Sequence, residues 1–141
     1  MEKTVRTSHS YNYTSASLSF ILWGSWAYYL NRNTYSAAEY SGIIQGMASF
    51  TFTLFMVHAV TFLYHQFNHP IPKLLMPAVI TTAFTSTSSI IFHLLAGTPQ
   101  IAFIILPASS LAFVFCLYTS FILSKTQQTI NKENKPTYDS Y

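Results

Sequence analysis

The stretch LLMPAVITTAFTSTSSIIFHLLAGTPQIAFIILPASSLAFVFCLYTSFILS, residues 74–124, contains no Lys, Arg, Asp or Glu. A helix that crosses a bilayer needs about 20 mostly apolar residues. This run is therefore long enough for two. Ala96-Gly97-Thr98-Pro99 divides it, because Gly commonly follows the last helical residue and Pro opens the next helix. The expectation is a third span over 74–96 and a fourth over 100–124, joined by a tight hairpin. Pro77 falls in the first turn of the third span, where it is tolerated. Pro107 falls inside the fourth, where it frees a carbonyl one turn earlier and is expected to bend the helix.

The rest of the chain is as poor in charge. Only 8% of the 141 residues are charged, against about 25% in a typical soluble domain. No charge lies between Arg6 and Arg32, or between Glu39 and Lys73. Most residues of a soluble protein this small lie near its surface, so charge would recur along the whole chain. The first gap holds a span over 15–30, the shortest and most polar of the set, with Trp26, Tyr28 and Tyr29 near one end as interfacial anchors. The second holds a span over 42–67. The fold expected is an all-α integral membrane bundle of four helices. A short lead-in (1–14) precedes it, and a polar tail (125–141) read as disordered follows.

Short flanking segments set the orientation. With four spans, Lys3, Arg6, Lys73, Lys125, Lys132 and Lys135 fall on one side and Arg32 alone on the other. Both termini are therefore expected in the cytoplasm, in a bacterial-type inner membrane. The rival is a cleaved leader, with Lys3 and Arg6 as its basic start and Ser36-Ala37-Ala38 as the cleavage site. Asn31-Arg32-Asn33 separates that site from the apolar core and counts against cleavage. Cys116 is the only cysteine, so one chain forms no disulfide, and a buried thiol is expected.

Inside lipid the polar residues carry the information. On the second span Gly42, Gln45, Gly46, Ser49 and Thr53 share one face. Gly42, Gly46 and Ser49 form a small-residue surface that lets another helix backbone come close. Thr51, His58 and His65 lie opposite, with Thr61 nearby. On the third span Thr82, Ser86, Ser89 and His93 follow a helical stripe. Each hydroxyl, taken singly, is ordinary, because Ser and Thr in membrane helices bond the carbonyl one turn back. A stripe that ends in histidine is less ordinary, and intramembrane ionisable groups are functional candidates. Gln45, His58, Thr82, Ser86, Ser89 and His93 are accordingly the candidate path or ligand-binding residues.

The same map narrows the chemistry. Glu2, Glu39, Glu133 and Asp139 all lie outside the spans, so carboxylate-driven proton exchange lacks its central group. A haem held between His58 and His93 fails on depth. His58 lies about 24 Å from the outer end of its span and His93 about 5 Å. His65 and His69 have metal-compatible spacing but no Cys, Asp or Glu beside them. No nucleophile–base pair or phosphate loop is present, and no basic stripe suits nucleic acid. Expected, then, are no metal, no cofactor and no catalytic residue. The reading favoured is a non-enzymatic accessory or assembly subunit, with a homo-oligomer or a larger membrane partner on the Gly42/Gly46/Ser49 face. The alternative is a small oligomeric transporter or channel with a Ser/Thr/His-lined path. A lipid-acting enzyme comes third.

Overall fold

The computed structural model describes residues 5–33, 37–95 and 101–133, with side chains except at 31, 37, 38, 40, 41, 92, 93, 95, 101, 103 and 104. Every regular element among them is α-helix: α1 His9–Asn31, α2 Ala37–Tyr64, α3 Pro70–Leu95 and α4 Ile101–Glu133.

Local chemistry explains most ends. Ser8 caps α1, its hydroxyl accepting from the Tyr11 N–H at 3.1 Å. The helix therefore starts inside the segment read as a lead-in. Glu39 sits in the first turn of α2, where the helix dipole favours an acid. At the other end of α2, His65 and Gln66 donate to the carbonyls of Phe62 and Leu63 and tighten the chain into a turn. The helix thus ends at Tyr64, short of Phe67. Pro70 and Pro72 start α3 rather than delay it, because the first helical turn needs no N–H partner.

The tail needs a correction. Residues 125–133, read as disordered, continue α4 without a break. Thr126 and Thr129 bond carbonyls one turn back, Gln127 bonds Asn131, and Lys132 lies in the last turn, where a cation suits the helix dipole. The interhelical turn at Gly97-Thr98-Pro99 and residues 134–141 lie outside the described residues.

Three helices are long and apolar enough to cross a membrane, over Gly42–Tyr64, Pro70–Ile91 and Ile105–Glu133. At 23 residues α1 reaches about 35 Å. Its first half, however, carries Asn12, Thr14, Ser15, Ser17 and Ser19, and it does not join that set.

The chain divides into two compact units, residues 7–58 and residues 1–6 with 59–141. In the first, α1 packs antiparallel on the first part of α2, with Ser19 opposite Ser49 and Gly24 opposite Gly42. In the second, α3 packs antiparallel on α4, with Ser86 meeting Ser109 and Thr82 meeting Cys116. Burial is inverted relative to a soluble fold. The buried residues are mostly small or polar, among them Ala16, Ala27, Ser49, Thr53, Ala78, Thr81, Thr119 and Ser120. Ile44, Phe62, Ile71, Leu106 and Val114 are 62–70% exposed. Leaving such side chains in water would forgo about 1.5–3 kcal/mol each. A lipid surrounding would remove that penalty.

Candidate functional site

Two seams hold Gly42, Gly46, Ser49, Thr82 and Ser86 from among the residues that the sequence singled out. The first lies within residues 7–58. A Cβ placed on Gly24 would stand 2.9 Å from the Gly42 carbonyl oxygen and 3.4 Å from the Gly46 Cα. One on Gly42 would stand 3.1 Å from the Gly24 carbonyl oxygen, and one on Gly46 2.8 Å from the Phe20 ring. The helix received by the Gly42/Gly46/Ser49 face is thus the chain's own α1. The Ser19 hydroxyl also reaches the Ser49 carbonyl at 3.4 Å. Gly24 was not singled out in the sequence. Its signal was the spacing Phe20–Gly24–Tyr28, one residue per turn, with three of the chain's four glycines falling in this pair of helices.

Beside this contact, Phe20, Ile21, Gly24, Ser25, Tyr28, Glu39, Gly42 and Ile43 line an open, mainly apolar groove of about 460 Å³. The Arg32 guanidinium lies 4.2 Å over the Tyr29 ring, which stacks with Trp26. Gln45 is exposed on α2. His58 is exposed too, and its Nδ1 lies 2.7 Å from the Leu54 carbonyl. A carbonyl only accepts, so Nδ1 is the donor in this bond.

The second seam lies between α3 and α4. The Ser86 and Ser109 hydroxyls meet at 2.7 Å. The Thr82 hydroxyl faces the buried Cys116 thiol without the alignment of a satisfied bond. Thr85, Ser88, Ser110 and Thr119 donate to carbonyls one turn back. Ser89 is half-buried, and the His93 side chain lies outside the described residues. Thr81, Thr82 and Ser120 keep buried hydroxyl oxygens with no hydrogen-bond partner. Ser109 and Ser120 on α4 escaped the sequence reading because only the α3 stripe showed a period ending in an ionisable group.

Chemically, the seams offer hydroxyl, thiol and peptide groups. Among the described residues no three His, Cys, Asp or Glu side chains gather as metal ligands. His65 is engaged elsewhere, its Nε2 donating to the Val5 carbonyl at 2.8 Å. Comparison with protein-family models, with curated proteins and with solved structures finds no match to this chain.

Proposed function

We propose that the chain is a four-span protein of a bacterial-type inner membrane, with both termini cytoplasmic, acting as a non-enzymatic accessory or assembly subunit. One observation carries this reading. Among the side chains suited to line a path, His58 and Ser86 are spent on the Leu54 carbonyl and on Ser109, as the Thr85, Ser88 and Ser110 hydroxyls are on carbonyls one turn back, while bulky apolar side chains of every helix face outward. A surface of that kind serves lipid and partner helices.

Charge supports counting α1 as a span. If α1 crosses, Arg32 stands alone against six basic residues. If it does not, Lys3 and Arg6 join Arg32, and the bias falls to four against three. The partner surface is then an outward apolar face, since Gly42, Gly46 and Ser49 are covered by α1.

The alternative, an oligomeric transporter or channel, draws on the unpartnered hydroxyls of Thr81, Thr82 and Ser120. Buried groups of this kind take water or solute when a path opens.

Two measurements separate the readings. Single cysteines from Thr7→Cys, Asn33→Cys and Thr126→Cys, in a Cys116→Ala background, are labelled in intact cells with a membrane-impermeant maleimide. Four spans require labelling at position 33 alone. Labelling at 7 together with 33 makes α1 non-spanning. Purified protein in liposomes is then assayed for flux of ions, amines and weak acids. Flux abolished by Ser86→Leu would replace the subunit reading with the transporter.

A further inference from the structure

A chain of contacts links basic residues near the end of α2, the start of α3 and the Ser124–Lys125 stretch of α4. The Lys73 ammonium lies 4.6 Å over the Tyr64 ring, and the Tyr64 hydroxyl faces the Ser124 side chain. The next residue, Lys125, folds back so that its ammonium lies 4.8 Å over the Phe121 ring. His65, adjacent to Tyr64, holds the Val5 carbonyl and so fixes where the exposed Arg6 emerges. Tyr64 is buried, and it braces a lysine from α3 against the Ser124 level of α4, about two and a half turns before that helix ends. Both ammonium groups rest on aromatic faces, which attract cations without neutralising them. Neither forms an ion pair among the described residues. Two uncompensated ammonium groups are thereby held near the level where α2 ends and α3 begins, with exposed Arg6 next in the chain to the anchored Val5.

We infer that Lys73 and Lys125, with Arg6 beside them, form a binding site for the phosphate of an anionic phospholipid headgroup. The site rests on the proposed membrane reading. Basic groups between helix ends suit lipid phosphates, whose charge they neutralise at the bilayer surface. Arg6 adds a planar donor set matched to phosphate oxygens.

The test is native mass spectrometry of the full chain, delipidated in neutral detergent and titrated with phosphatidylglycerol, phosphatidylcholine or inorganic phosphate. Phosphatidylglycerol is expected to bind at least about tenfold tighter than phosphatidylcholine, with two basic groups contributing. Lys73→Gln or Lys125→Gln weakens it roughly fivefold, and the pair roughly 25-fold. Lys132→Gln, about 10 Å further along α4, changes it less than about twofold. Equal binding of the two lipids, or a loss at Lys132 as large as at Lys73, overturns the site. Displacement of the lipid by inorganic phosphate also overturns it, since free phosphate would then be the ligand. Extraction of the chain from vesicles by alkaline carbonate overturns the membrane reading and the site with it. A chain that resists extraction yet shows no lipid preference overturns the site alone.

Discussion

Gly24→Ala probes the backbone-to-backbone approach of α1 and α2 within residues 7–58. The new Cβ would lie 2.9 Å from the Gly42 carbonyl oxygen and 3.4 Å from the Gly46 Cα, both backbone atoms. Neither moves without moving its helix. Overpacking of this kind costs about 1–3 kcal/mol. Replacing Gly by Ala inside a helix returns about 0.8–1 kcal/mol. The net expectation is a loss of about 1 kcal/mol, roughly a fivefold shift in helix pairing. Gly46→Ala meets the Phe20 ring at 2.8 Å instead. A ring turns about its side-chain bonds more readily than a backbone shifts, so this second change is expected to be nearly neutral. The assay pairs Ser19→Cys with Ser49→Cys, whose parent side chain and carbonyl lie 3.4 Å apart, in a Cys116→Ala background. Oxidation of the membranes should give a monomer-sized cross-linked band. Its rate of formation should fall about fivefold in Gly24→Ala and stay within about twofold in Gly46→Ala. Equal rates in all three proteins, or the reverse order, would refute the argument from backbone contact. A dimer-sized band would show that the glycine face joins two copies rather than two helices of one.

The α3–α4 hydroxyl pair should behave as a coupled unit. Ser86→Ala and Ser109→Ala should each cost about 0.6 kcal/mol in denaturation by SDS followed through Trp23 and Trp26, and the double variant no more than either alone. Thr81→Val removes a buried, unpartnered hydroxyl at nearly constant volume. It should raise stability by about 1 kcal/mol in the same titration, and a loss of that size would mean the hydroxyl has a partner. His65→Ala breaks the bond to the Val5 carbonyl. Trypsin added to the membrane face that carries the N-terminus should then cleave after Arg6 faster than in the parent protein, and an unchanged rate would count against that anchor.

Several features were legible before any coordinates. Helices in the charge-free runs follow from hydropathy and length, and Ser8, Pro70 and Pro72 mark starts by rules that act within one turn. The α1 boundary was misplaced by the polar composition of residues 9–14, which a cap and neighbouring turns override. Residues 125–133 were misread in the same way. A polar helix looks like a disordered tail when its stability derives from a longer apolar segment that it extends. The candidate residues were legible as types and not as partners. Gly42 and Gly46 announced a close approach, yet periodicity on one helix does not say which helix arrives.

The sequence by itself determined that this is an apolar helical chain with its basic residues confined to short segments, because lipid-scale hydropathy and charge act locally and survive any arrangement of helices. Tertiary structure alone decided that Gly24 meets Gly42, that Ser86 bonds Ser109, and that Tyr64 carries Lys73 to the side of α4 at Ser124. Each of these joins residues far apart in the chain, and small and hydroxyl side chains fit many helix faces almost equally well. Only when two particular backbones come within van der Waals reach does one pairing exclude the others.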